Sequence, residues 1–300
     1  MFNLSGRVCA NVLRCDIAVK SGFLRKRILS ESLGLCYTTK TPESQDSAQK
    51  KATSLDLENI ELLQKQSNKW WDPVGPLKGL HSMNHVRVPF IRDGFLATRA
   101  GQDSQRNNSG PLKGIHILEV GCGGGILTEA LGRLGAKVTA IDPSEELISA
   151  ARQHLKLNPE LSQRITYLTD TVEEHMVQNR EKYDGVVLSE VIEHVNEQEQ
   201  FLTHCINSVK TGGSIFVSTF NKTFLSYVIG IFLLEDVFKI LPKGTHEWEK
   251  FISPKETQKI FEKNNCSSIL VHGLRFQPWN NTWHWTKSVD INYIQHAIKH

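Results

Sequence analysis

Ile117-Leu118-Glu119-Val120-Gly121-Cys122-Gly123-Gly124-Gly125, followed by a second apolar run that closes on Ala140-Ile141-Asp142, decides the fold of this 300-residue chain. The first stretch predicts a buried strand that runs into a glycine turn and a helix. The second predicts a neighbouring strand capped by an acid. That order holds an adenosine-containing cofactor across a parallel sheet. Gly121, Gly123 and Gly125 allow close backbone approach because no Cβ stands in the way. Asp142 offers two carboxylate oxygens where a ribose presents vicinal hydroxyls.

The dinucleotide fingerprint needs a glycine at the sixth position of the turn, for close helix–strand contact. Counted from Gly121, that position is Ile126, so the dinucleotide form fails. No Arg or Lys lies in the turn and no G-K-[ST] follows it, which excludes a phosphate-cradling loop. A cofactor with ribose and adenine but no phosphate fits better, and S-adenosylmethionine is that cofactor. Glu119 agrees: its carboxylate would repel a pyrophosphate but can serve the methionine ammonium.

Around this centre the chain alternates in the manner of a doubly wound α/β fold. Strands are predicted at Ile115–Val120, Lys137–Ile141, Ile165–Leu168, Tyr183–Ser189 and Ser214–Thr219, with two more between Ser267 and Tyr293. Helices are predicted at Ile126–Leu134, from Ser144 through Leu155, at Gln198–Val209 and from Ser253-Pro254 onward, the last in the capped, proline-first manner. Upstream, Leu55–Trp71 reads as a helix stopped by Asp72-Pro73 and Gly75-Pro76. A second helix carries Leu80, Met83 and Val86 on through Phe90–Thr98, and residues 55–100 are expected to form a helical lid. Gly101–Gly110 reads as an exposed loop.

Lys and Arg number 35 against 32 Asp and Glu, a net charge of +3. Residues 1–39 hold six basic against two acidic residues, a net of +4, so the remainder stands at −1 and gives no case for nucleic-acid binding. The basic, acid-poor leader lacks a long apolar core, so it predicts a mitochondrial presequence rather than a secretory signal. Residues 40–54 are polar and read as a linker, which leaves 55–300 as the folded domain. Of the six cysteines, Cys122, Cys205 and Cys266 lie outside the leader and share no paired spacing, which argues against disulfides and a cysteine zinc site. Cys122 reads as a small buried residue. The apolar insert Phe224–Leu241, within 222–245, is shorter than the ~20 residues a spanning helix needs. Flanked by Lys222, Lys239 and Lys243, it suits a helix in the headgroup region or a lid over the site.

Ser189-Glu190-Val191-Ile192-Glu193-His194-Val195 begins at the carboxyl edge of the sheet, where ligands gather in open α/β folds. If it turns helically, Glu190, Glu193 and His194 share one face and could hold a divalent cation. Oxygen ligands favour Mg²⁺, while the histidine leaves Mn²⁺ and Zn²⁺ open. The same residues could instead merely line the pocket, or His194 could act as a general base.

Trp70-Trp71-Asp72-Pro73 and Leu80-His81-Ser82-Met83-Asn84-His85-Val86-Arg87 resemble the opening segment of ubiquinone-biosynthesis O-methyltransferases. So do the glycine turn, Glu190-Val191-Ile192-Glu193-His194-Val195, Pro242-Lys243-Gly244-Thr245-His246 and Val289-Asp290-Ile291-Asn292-Tyr293. The resemblance runs from about Leu55 to the C-terminus. It implies a class I methyltransferase fold with a Rossmann-like, seven-stranded, mostly parallel sheet and helices on both faces. It also implies cofactor contacts at Arg87, Gly121, Asp142 and Ser189, and Mg²⁺ on Glu190, Glu193 and His194. Bacterial members carry a hydrophobic residue where Ser189 stands. The family further implies methylation of phenolic hydroxyls on polyprenylated catechol intermediates of coenzyme Q. Its members attach to a multienzyme complex, in peripheral contact with the matrix side of the mitochondrial inner membrane. On this reading Arg87 clamps the methionine carboxylate of S-adenosylmethionine, Asp170 meets the adenine, and His246 is an additional candidate base. The competing readings are a small-molecule methyltransferase acting on nitrogen or carbon without metal, and a cofactor-binding scaffold that performs no chemistry.

Overall fold

The computed structural model describes residues 64, 67–98, 110–226 and 248–300. The expected presequence and linker, the start of the helix expected from Leu55, the loop at 101–109, residues 227–245 of the insert and His246 lie outside the described residues.

Eight strands form one sheet: β1 (His116–Val120), β2 (Lys137–Asp142), β3 (Ile165–Thr169), β4 (Tyr183–Ser189), β5 (Val209–Phe220), β6 (Cys266–Gln277), β7 (Thr282–Thr286) and β8 (Asn292–Lys299). Their order is β3-β2-β1-β4-β5-β8-β6-β7. β1 to β5 are parallel. β8 lies antiparallel between β5 and β6, and β7 pairs antiparallel with β6 at the edge. The strand order reverses between β1 and β4, and such a switch point opens a crevice at the carboxyl ends of the strands.

Alternation along the strands sends side chains to two helical layers. Ile117, Val138, Ala140, Val187 and Phe216 pack with α1 (Lys78–Thr98), α2 (Ile126–Arg133) and α3 (Glu145–Leu155) through Phe90, Phe95, Leu127, Leu131 and Ile148. Their neighbours Leu118, Ile141, Val186, Leu188 and Val217 pack with α4 (Val172–Gln178), α5 (Gln198–Asn207) and α6 (Pro254–Lys263) through Val172, Phe201, Leu202, Ile260 and Phe261. α1 buries Met83, Val86, Arg87, Phe90, Ile91 and Phe95 at helical spacing and contains Pro89. The carbonyl that Pro89 leaves without an amide partner belongs to exposed His85, where water can reach it.

The sheet has eight strands rather than the seven expected. The tail supplies three, because Asn281 takes the left-handed backbone (φ 52°) and turns Thr282–Thr286 back on β6 as a hairpin. The expected helix to Val209 stops at Asn207, and Val209 already opens β5 opposite Tyr183, with a register irregularity before Gly185. Sequence reading did not find α4, although Thr171 caps it by accepting from Glu174 N. At the described end of the Leu55–Trp71 segment, Ser67–Lys69 forms a single 3₁₀ turn and the two tryptophans lie in a turn, not a helix.

Two expected caps are present. Ser144 Oγ accepts from Leu147 N at the start of α3. Ser253 and Glu256 form a reciprocal capping box ahead of Pro254, with Ser253 N donating to Glu256 Oε2 at 2.8 Å and Glu256 N to Ser253 Oγ at 3.2 Å. Ser253→Ala should therefore cost about 1 kcal/mol, read as a lowered thermal midpoint with cofactor affinity unchanged.

Candidate active site

The turn after β1 is held from beneath: Gly121 N and Cys122 N both donate to Ile141 O, at 2.9 and 3.1 Å. Gly121 has φ 71°, and Gly125, which caps α2, has φ 88°, a conformation that favours glycine. Asp142, at the end of β2, is 7% exposed. Its Oδ2 accepts from Gly123 N at 2.9 Å and its Oδ1 from Ser144 N at 3.0 Å. Burial pushes its carboxyl up to about 6, while the two backbone N–H groups pull the other way. Cys122 is buried and its thiol is raised by desolvation, which leaves it a poor nucleophile.

Arg87, on α1, is 4% exposed and lines the cavity at this edge. Its Nε donates to Asn84 Oδ1 at 2.7 Å, Nη1 to Ser189 Oγ at 2.9 Å and Nη2 to Leu80 O at 3.2 Å. Burial lowers it to about 10, opposed by the charges of Glu119 and Glu190, so it stays protonated at neutral pH. Glu119 is buried beside it and is pushed up to about 7 by desolvation. Its Oε2 has no hydrogen-bond partner.

From Arg87 a line of hydrogen bonds runs across the sheet edge. Ser189 Oγ and Ser218 Oγ lie 2.9 Å apart, and Ser218 Oγ donates to Glu190 Oε1 at 2.7 Å. Because Arg87 can only donate and an ionised Glu190 can only accept, both hydroxyls point the same way, from Arg87 toward Glu190. The helical spacing proposed for Glu190, Glu193 and His194 is not realised. Glu190 adopts φ 57° just past β4, and only Ile192–His194 makes a 3₁₀ turn. Glu193 is 3% exposed and accepts from Thr219 Oγ1 at 2.8 Å. Burial raises both carboxyls, and the charge of Glu190 raises Glu193 further. Two crowded acids are chemistry that suits a cation. Among the described residues, however, no three His, Cys, Asp or Glu converge as metal ligands.

One cavity of about 290 Å³ gathers Arg87, Gly121, Asp142, Asp170, Ser189, Glu190, Glu193 and His194. Asp170 is held from behind: His175 Nδ1 lies 2.9 Å from its Oδ2, and His175 Nε2 lies 2.7 Å from Tyr183 OH. Several lining groups escaped sequence reading. Trp70 lies against Gly123 and Gly124, where an added Cβ on Gly124 would stand 2.8 Å from its Nε1. Trp71 Nε1 donates to Gly124 O at 2.8 Å, and its ring stacks on His154 at 3.3 Å between centroids. Phe276 and Trp283, from the β6–β7 hairpin, form an aromatic wall with ring centroids 5.0 Å apart. Trp283 Nε1 also donates to Gly79 O at 2.9 Å, which ties that wall to the start of α1. The paired tryptophans were visible as a motif, but nothing local signals which surface they cover.

Residues 118–217 match the family described as a methyltransferase domain. The mitochondrial ubiquinone biosynthesis O-methyltransferase of Rattus norvegicus is 46% identical over 246 residues, which cover 82% of this chain and 70% of that protein. The Homo sapiens protein of the same name is 45% identical, over 82% of this chain and 66% of its own length. The Pelagibacter ubique ubiquinone biosynthesis O-methyltransferase is 38% identical, over 82% of this chain and 99% of its own length. The chain thus spans about two thirds of the mammalian relatives and nearly all of the bacterial one. Magnesium protoporphyrin IX methyltransferase from Synechocystis PCC 6803, solved with bound S-adenosylmethionine, shares the fold. Its TM-score is 0.52 at 17% identity, over 82% of this chain and 99% of that one. With a class I fold and near-complete coverage of a bacterial relative, this chain belongs to the ubiquinone biosynthesis O-methyltransferase family of S-adenosylmethionine-dependent enzymes.

Proposed function

We propose that this protein methylates a phenolic hydroxyl of polyprenylated catechol or demethylubiquinol intermediates of ubiquinone biosynthesis. The observation that carries the reading is a single cavity. It is lined by the glycine turn, Asp142 and Arg87, by the crowded acid pair Glu190 and Glu193, and by an aromatic wall. The names of the relatives support the acceptor class.

The first of these groups suits S-adenosylmethionine. Asp142 would hold the ribose hydroxyls, with Gly121 beside them and Asp170 toward the adenine. Arg87 keeps a second Nη2 N–H, beyond the one given to Leu80 O, for the methionine carboxylate. The unpartnered Glu119 Oε2 would take the methionine ammonium. Ser189, already bonded to Arg87, would orient that clamp. The cofactor supplies an electrophilic methyl group, so the protein has two remaining tasks, to align an acceptor oxygen and to remove its proton. His194 at the cavity wall is the proposed base, since imidazole titrates near neutral pH.

The family resemblance also implies magnesium. Glu190 and Glu193 would hold it with His194 as a third donor, and it would supply stabilisation of phenolate charge. Among the described residues the side chains do not converge on such a site. The basic leader and the names of the animal relatives support a mitochondrial location. Phe224 and Leu225 are exposed at the start of the insert, which supports peripheral contact with the inner membrane and with a biosynthetic complex. No helix among the described residues is long and apolar enough to cross a membrane.

Methyl transfer to a prenylated catechol, assayed with and without chelator, tests the whole reading. Chelator-sensitive O-methylation is expected, and a protein that binds cofactor but transfers nothing would point to a scaffold. Glu190→Ala with Glu193→Ala should abolish metal-dependent turnover and spare cofactor affinity, and unchanged turnover rejects the metal role. The ionised Asp142 is the stronger acceptor for the ribose and titrates at about 6, and Glu119, the proposed ammonium partner, at about 7, so cofactor affinity should fall as pH drops through both values. The loss approaches tenfold per pH unit for each group, and calorimetry between pH 7.5 and 5 reads it. A profile flat throughout rejects both carboxylates as charged contacts of the cofactor.

A further inference from the structure

β8 is antiparallel to β5, so its first residue, Asn292, sits at the same sheet edge as the carboxyl ends of β4 and β5. Asn292 pairs with Phe220, and Ile294 with Ser218. Directly opposed residues share a face and so do residues two apart, which puts Asn292 on the face of Ser218, the hydroxyl that bonds Glu190. Asn292 lines the cavity and is 3% exposed, and its Nδ2 is buried with no hydrogen-bond partner. A buried donor left unpaired is costly, so such a group calls for a partner that completes it.

The position in the sheet says which ligand. β8 lies three strands from β1 and four from β2, which carries Asp142. At ~4.8 Å per strand, Asn292 stands roughly 14 Å from the strand that leads into the glycine turn and farther still from the ribose end. The lining around it is mixed. Phe220 and Ile291 are its strand and chain neighbours, and Phe276 and Trp283 stand on the hairpin. Glu190 and Glu193 bond to Ser218 and Thr219 on the strand it pairs with. One amide donor between aromatic walls and a crowded acid pair, and far from the glycine turn, suits a flat ring that carries hydroxyl oxygens rather than the amino-acid end of the cofactor.

We infer that the Asn292 carboxamide donates a hydrogen bond to an oxygen of the aromatic acceptor, a phenol or catechol, and so positions the ring for methyl transfer. This rests on the function proposed above. Asn292 is a binding residue here and holds no proton that moves.

The test uses the full chain and its Asn292→Leu and Asn292→Asp variants, with a farnesylated catechol as acceptor probe. Acceptor affinity is measured with S-adenosylhomocysteine bound, alongside kcat/KM, cofactor affinity and thermal midpoint. Asn292→Leu removes an unpaired donor, so its midpoint should hold or rise while acceptor binding and kcat/KM fall about 10–100-fold and cofactor affinity stays the same. Asn292→Asp keeps the shape, replaces the donor with an acceptor, and should lose the acceptor too. Unchanged acceptor affinity in both variants overturns the inference. So does a loss matched by equal losses in cofactor affinity and melting, which would make Asn292 a packing residue. If the wild-type chain binds cofactor but neither binds nor methylates the catechol, the functional reading fails first, and this inference with it.

Discussion

The candidate site hangs on the Asp142 carboxylate. One oxygen takes the Gly123 N–H and the other the Ser144 N–H, so a single side chain fixes the glycine turn after β1 to the start of α3. Bonds from N–H groups to an ionised acid are the strong kind. Burial works against them and lifts the group to about 6. The acid is therefore charged at neutral pH by a modest margin, and removing it would take one anchor from each of two loops.

Charge around the cavity is lopsided. Arg87 and Lys78 share the lining with Glu119, Asp142, Asp170, Glu190 and Glu193, and burial raises the carboxyls of Glu119, Asp142, Glu190 and Glu193. A pocket with this surplus of acid is short of positive charge until a ligand brings it. A sulfonium with an ammonium beside it meets that need. The aligned hydroxyls of Ser189 and Ser218 spread the influence of Arg87 as far as Glu190.

Much of this was legible before any coordinates. The glycine turn, the acid at the end of β2, the Ser144 cap and the Ser253-Pro254 start are local signals, and local signals survive folding. The helix carrying Arg87 was readable because its apolar residues recur at helical spacing. What escaped was short or tertiary. β7 is five residues at a sheet edge, Trp283, His284 and Trp285 between two threonines, and α4 is seven residues long. Glu190 departs from helical geometry through one left-handed residue, which no spacing rule foresees. The orphaned amide of Asn292 is visible only once strands distant in sequence are set side by side.

Trp70 changes what the glycine-rich signature records. Its indole rests on Gly123 and Gly124, so part of the demand for bare backbone comes from the chain's own aromatic ring and not from a nucleoside. A motif of this kind is a cast of whatever lies against it. In this protein Val191 lies against Gly121 and Tyr167 against Gly125 as well, and a search tuned to ligand contact alone would credit the chain's own side chains to the ligand.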